Sequence, residues 1–173
     1  MPTPWVAPTP TFTDNPLTGD DRPMLEGYLA WERATLLNIC AGLTGEQLAL
    51  QPVPPSNLSL LGLVRHMAKV ERIWLRKRAP GGSIEPLYDP ALGKDHDFEH
   101  LDPAEAPTAF AQFKIECDEG DAAVAEMSLD DTFEIRDGAM SLRMTYLHLI
   151  NEYGRHNGHA DLLRECIDGV TDR

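Results

Sequence analysis

The stretch MTYLHLINEYGRHNGHADLLREC, residues 144–166, constrains this chain more than any other. Its apolar residues recur at helical spacing, Ser141 stands ready to cap the start, and Gly169 ends it. At about 100° per residue, with Glu152 at zero, His156 falls near +40°, His159 near −20° and His148 near −40°. Leu149, Ala160, Leu163, Cys166 and Ile167 share that arc, whereas Asn151, Gly154, Asn157, Asp161, Arg164 and Glu165 lie mostly outside it. The face expected to pack inward therefore carries three histidines and a carboxylate. Burying an ionised carboxylate without compensation costs on the order of several kcal/mol, or forces it to take up a proton. A divalent cation removes the conflict. The carboxylate becomes a ligand, the imidazoles bind as neutral donors, and the i, i+4 spacing sets Glu152 beside His156. The alternative is a hydrogen-bonded polar layer, or a helix end that emerges into water.

The rest of the chain supplies partners for that helix. With 173 residues, one domain is the expectation. Residues 1–20 hold Pro2, Pro4, Pro8, Pro10 and Pro16, which forbid a helix. They read as an extended arm, lying across the domain of residues 21–173 through Trp5 and Phe12. A first helix begins near Asp21 and stops at Gly42. Leu43–Pro55, with Pro52, Pro54 and Pro55, reads as a loop. Ser59 caps a second helix running to about Arg78. More than 20 irregular residues follow. A loop of that length is often functional, and it is also what a bundle needs to join two parallel helices. A third helix starts after Asp102, with Pro103 at its first position. Residues 130–140 read as a short hairpin with Asp137-Gly138 as its turn. The expected fold is all-α: a four-helix bundle with a long crossover between helices 2 and 3, and bundles hold metal and ligand sites on facing helices.

Two residues on one helix do not complete a catalytic metal site, for which three protein ligands are typical. His66 is the best third candidate. Its wheel neighbours are Leu63, Met67, Val70, Ile73 and Trp74, so it points into the core from the second helix. His96 and His100, in an acidic part of the crossover, read as surface residues. Gly154 and Gly158 lie opposite the metal face. They leave room for another helix, as across a homodimer, or are simply tolerated. The net charge of −13 repels phosphate backbones and anionic lipid, which argues against nucleic-acid and membrane-surface partners. Three scattered cysteines, Cys40, Cys117 and Cys166, with no CxxC, point to a reducing compartment. No apolar run reaches the roughly 20 residues of a membrane span, and MPTPWVAPTPTFTDNP has no basic or apolar region of a signal peptide. A cytoplasmic protein is expected.

The pattern LxxLVRHMxxVERxW on the second helix, with HLINEYGRHNGHADLLRECIDG on the fourth, resembles the DinB/YfiT-like superfamily over roughly residues 22–170. It is most similar to the actinobacterial mini-circle protein branch. The resemblance implies the same four-helix bundle and a metal held by three histidines, or by two histidines and a carboxylate. Glu152 stands where many members have the first histidine of HxxxH. That feature is similar to the mycothiol-dependent maleylpyruvate isomerases, whose zinc is held by His, Glu and His. Carried over, the ligands are His66, Glu152 and His156. His159 then becomes a neighbour that orients a ligand or relays a proton, and His148 is a fourth ligand candidate or a neighbour of the same kind. Members with known activity are largely thiol S-transferases using small thiols such as mycothiol.

The resulting expectation is a metal-dependent S-transferase that joins a low-molecular-weight thiol, mycothiol, to a small electrophile. An open coordination position would deprotonate the thiol, and Trp74, Tyr153 and the crossover would wall the electrophile's slot. Zinc is the expected metal, with nickel, iron and manganese as alternatives for the same ligands. Two other functions share the site: a non-catalytic metal-binding stress or structural protein, and a hydrolase with water as nucleophile.

Overall fold

The computed structural model describes residues 5–93 and 95–171. The first four residues of the expected arm, Lys94 of the crossover and the last two residues of the expected domain lie outside the described residues. The protein is mostly helical. Four long helices appear where the periodicity predicts them: α1 (Asp21–Cys40), α3 (Leu60–Glu71), α4 (Ala106–Val124) and α5 (Leu142–Asp168). Ser59 and Ser141 accept hydrogen bonds from the amides of Gly62 and Met144, as N-caps do. Gly169 closes α5 in the left-handed conformation (φ 77°) that favours glycine.

Local details differ from the sequence expectation. The proline-rich loop after α1 contains one helical turn, α2 (Gly45–Leu48), held by a reciprocal capping box between Thr44 and Gln47. Four residues are too few to leave a periodic signature. The helix begun by α3 continues to Arg78, but over Arg72–Arg78 it widens to a π-helix, marked by the Ala79 amide reaching the Trp74 carbonyl. Pro103–Glu105 form a 3₁₀ turn ahead of α4. The hairpin pairs β1 (Thr132–Ile135) with β2 (Gly138–Ser141), and Ile135 faces Gly138. Its turn is therefore Arg136-Asp137, one residue earlier than expected. In the arm, Trp5 packs edge-on against Phe110, while Val6 and Ala7 pair with the exit of α1 at Gly42–Thr44. Phe12, expected to anchor it, is largely exposed.

Helix α1 packs mainly on α5, and α3 packs on α4 and also touches α5. Contacts between α3 and α5 run in opposite order along the two helices. His66 meets His156, Glu71 meets Tyr153 and Trp74 meets His148. One hydrophobic cluster fills the interior. Within it the four long helices meet in a polar knot. Arg33 of α1 forms a two-pronged ion pair with Glu71 of α3, at 2.7 and 2.8 Å, and also binds Asp121 of α4. Tyr153 of α5 donates its hydroxyl to Glu71 at 2.7 Å. A second buried carboxylate, Glu116 of α4, accepts from Arg72 and Arg76 of the π segment. The crossover folds back over α3 so closely that a Cβ on Gly62 would lie 2.8 Å from the Phe98 ring.

Two outcomes follow from these buried charges. Glu71→Ala leaves Arg33 with Asp121 alone and strands the Tyr153 hydroxyl, and should cost about 3–5 kcal/mol, read as a lower denaturant midpoint. Burial alone would raise the Glu116 carboxyl, but Arg72 and Arg76 outweigh it and hold it below its ordinary value of 4.5. A depressed carboxylate contributes stability that is present above the unfolded value and is lost as pH falls through the folded one. The wild type should therefore lose stability below pH 4.5 more steeply than Glu116→Gln, as measured by urea melts across that range.

Candidate metal centre

The buried residues of α5 include Leu149, Tyr153, Asn157 and Ala160. They centre about 75° round the helix from Glu152. The inward face is thus rotated from the one expected. Asn157, placed outside it by sequence, is buried and donates to the backbone and side chain of Glu32. Cys166, placed inside it, is exposed. The bulk of Tyr153 and its bond to Glu71 set this rotation, and helical periodicity alone does not weigh them. The consequence is useful: Glu152 and His156 lie on the rim of the packed face, 19% and 14% exposed, within reach of both core and solvent.

His66 faces them from α3. Its Nε2 lies 3.6 Å from Glu152 Oε1, and His156 Nε2 lies 3.3 Å from the same oxygen. One ligand atom from each of the three residues falls within 4.8 Å of the others. The structure thus brings together the three residues named as ligands. Behind His66 stands a residue that the sequence reading missed. Asp97, 1% exposed, accepts from His66 Nδ1 at 2.6 Å, and Lys69 Nζ lies 2.7 Å from the same oxygen. Phe98 stacks on the other side of the imidazole. The one available signal for Asp97 was its place in an unusually long crossover. An aspartate among DHDFEH looks like solvated surface; the fold buries it beside Phe98, with His66 and Lys69 as its partners.

The donor set can be tested for fit. Asp97 is a carboxylate that accepts, so His66 carries its proton on Nδ1 and presents a bare lone pair at Nε2. That Nε2 is buried and has no hydrogen-bond partner in the protein, as is His156 Nδ1. Burial alone would raise the Glu152 carboxyl, but the His156 and His66 rings outweigh it and hold it below the usual carboxylate range. Burial first, and then the neighbouring His66, push the His156 imidazole down. One carboxylate and two imidazoles thus present ligand atoms within 4.8 Å of one another. Ionised carboxylates and neutral imidazoles are the forms in which such side chains bind divalent cations, and mixed His and carboxylate donors suit zinc.

The remaining candidates separate. His148 is half-buried and packs against Trp74, with ring centroids 4.5 Å apart. The Arg78 guanidinium covers that indole at 4.4 Å. His159 is exposed and edge-on to His156. Trp74 is half-buried between His148 and Arg78. Tyr153, expected as a wall, is instead fully buried in the polar knot. Of the crossover histidines, His100 is exposed but His96 is half-buried. Gly154 has only Glu32 Oε1 near it, 4.0 Å from its would-be Cβ, and Gly158 has nothing within 4 Å, so no helix packing among the described residues explains either.

No helix among the described residues is long and apolar enough to cross a membrane. No curated protein sequence matches the chain. A family model described as mycothiol-S-transferase matches residues 24–169, a span that takes in the crossover and both helices carrying the His66, Glu152 and His156 cluster. The match covers most of the sequence, and the chain belongs to the mycothiol-S-transferase family.

Proposed function

We propose that this protein is a metal-dependent thiol S-transferase, built as a DinB/YfiT-like four-helix bundle, that joins mycothiol to a small electrophile. The observation that carries the reading is the convergence of His66, Glu152 and His156, with an orphaned lone pair at His66 Nε2 aimed toward an ionised carboxylate. Family membership supports the thiol. These three residues would hold the cation, for which zinc is proposed. When bound, a divalent cation supplies Lewis acidity that lowers a thiol's pKa and makes its thiolate available near neutral pH.

The protein's own residues do the rest. Asp97 keeps the proton on His66 Nδ1 and so keeps Nε2 a donor of electrons. Lys69 pairs with the same carboxylate oxygen, which keeps Asp97 ionised despite its burial. In the transfer the thiol S–H bond breaks and a bond forms between sulfur and the electrophilic carbon. The displaced electron pair leaves with a leaving group or settles on an activated double bond. His159, exposed beside His156, would pass the thiol proton to solvent. Trp74, steadied by His148 and Arg78, offers a flat apolar wall to the electrophile.

The test is consumption of mycothiol with a bimane electrophile, measured with and without chelator. Loss of turnover on chelation, with recovery on adding zinc, is the expected result. Bound zinc without thiol consumption would instead indicate a non-catalytic metal protein. His156→Ala should abolish stoichiometric zinc in metal analysis while leaving the helical circular dichroism intact, because the residue sits on the rim of the core. Asp97→Asn should weaken zinc binding by about 10–100-fold in chelator competition, since carboxylates that orient a histidine ligand typically contribute that much.

A further inference from the structure

A cavity of about 400 Å³ lies between the π-helical end of α3 and the crossover. Small-molecule sites run from roughly 300 to 1,000 Å³. This cavity is not the metal face. Asp97 and Lys69 line it, but His66, Glu152 and His156 do not. His66 offers Nδ1 to Asp97 and Nε2 toward Glu152, on opposite edges of its ring. The cavity therefore lies behind His66 as seen from Glu152 and His156, and none of those three side chains lines it.

Its lining defines an occupant. Ile73, Leu87 and the Tyr88 ring make an apolar wall. Lys77 and Arg78 stand exposed on the lining, and among the described residues neither makes an ion pair. Lys69 and Arg72 are already paired, with Asp97 and Glu116, and Glu85 and Asp89 also line the cavity, so Lys77 and Arg78 are the cations that face an incoming anion. Two lining residues hold buried polar atoms with no hydrogen-bond partner in the protein: Asp97 Oδ1 and His96 Nδ1. A buried carboxylate oxygen in that state calls for a donor.

We propose that this cavity is a second ligand site, which takes an apolar carboxylate carrying a hydroxyl or amide donor. The carboxylate meets Lys77 and Arg78, the apolar body lies along Leu87 and Tyr88, and the donor satisfies Asp97 Oδ1. The other oxygen of Asp97 holds both His66 Nδ1 and Lys69, so an occupant acts on the donor strength of His66. Ligand and cation binding are then linked, each changing the other's affinity by the same factor. The site itself does not depend on the transferase reading; only this linkage rests on the metal centre.

The experiment is calorimetric titration of 6-hydroxy-2-naphthoate into the full chain, with and without zinc. Saturable one-to-one binding is expected in both forms. Affinity should fall by about tenfold or more for 6-hydroxy-2-naphthamide, which lacks the charge, and for the double variant Lys77→Glu, Arg78→Glu. Leu87→Trp, which fills the cavity, should abolish binding while circular dichroism shows the helices intact. No saturable binding, or an affinity indifferent to both variants, overturns the site. Zinc affinity, read by chelator competition, should change about threefold or more at saturating naphthoate. An unchanged value overturns the linkage. Zinc binding without naphthoate binding would overturn this site and leave the metal centre standing, and naphthoate binding without zinc binding would do the reverse.

Discussion

The contact on which this architecture depends is the one between Glu71 and its two partners, Arg33 and Tyr153. Glu71 is fully buried, so it is tolerable only while the guanidinium and the phenol both reach it. That requirement sets the register of α3 against α5. Tyr153 is next to Glu152 in sequence, and His66 lies five residues before Glu71, so anchoring Glu71 to Tyr153 brings His66 opposite Glu152 and His156. The same register brings Trp74 against His148 at the other end of the contact. A buried pair is weak evidence of net stability, but it is well suited to choosing one helix register among several of similar hydrophobic quality.

The cluster of His66, Glu152 and His156 is the counterpart of that knot. In the interior, two buried carboxylates have cations in reach: Arg33 for Glu71, and Arg72 and Arg76 for Glu116. At the rim, Glu152 has the imidazoles of His66 and His156, the latter discouraged from charging by burial and by its neighbour His66, and a distant Arg155 at 3.8 Å. One carboxylate of the pattern is thus left without a strong cation of the protein's own, and two ring nitrogens beside it are left without donors. Asp97 and Lys69 add a second layer that keeps His66 in one tautomer. Rigidity here comes from secondary structure on both sides, with His66 on α3 and Glu152 and His156 on α5.

Much of this was legible in the sequence, for identifiable reasons. Helix positions and caps at Ser59, Ser141 and Gly169 follow from local chemistry, and they hold in the structure. The three ligand candidates could be named because ionisable groups on a packed helical face are costly, and because of the family resemblance. The rotation of α5 was not legible. A helical wheel places residues relative to one another but does not say which of two polar arcs faces inward. Asn157 and Tyr153 turned inward because each found a buried partner on another helix. Asp97 was hidden for a similar reason: in an acidic run, the one carboxylate that folds inward is selected by a lysine and a histidine on α3, far away in sequence.

By itself, then, the sequence determined the helical segments, their ends, and the presence of more ionisable groups on the last helix than a dry core accepts. These are properties of neighbours along the chain, where backbone hydrogen bonding and side-chain spacing act over a few residues. The tertiary structure alone decided which of those groups converge, which face solvent, and which residue of the crossover supports His66. Those outcomes depend on desolvation and on Coulombic partners brought in from other helices, and such energies exist only once the helices have packed.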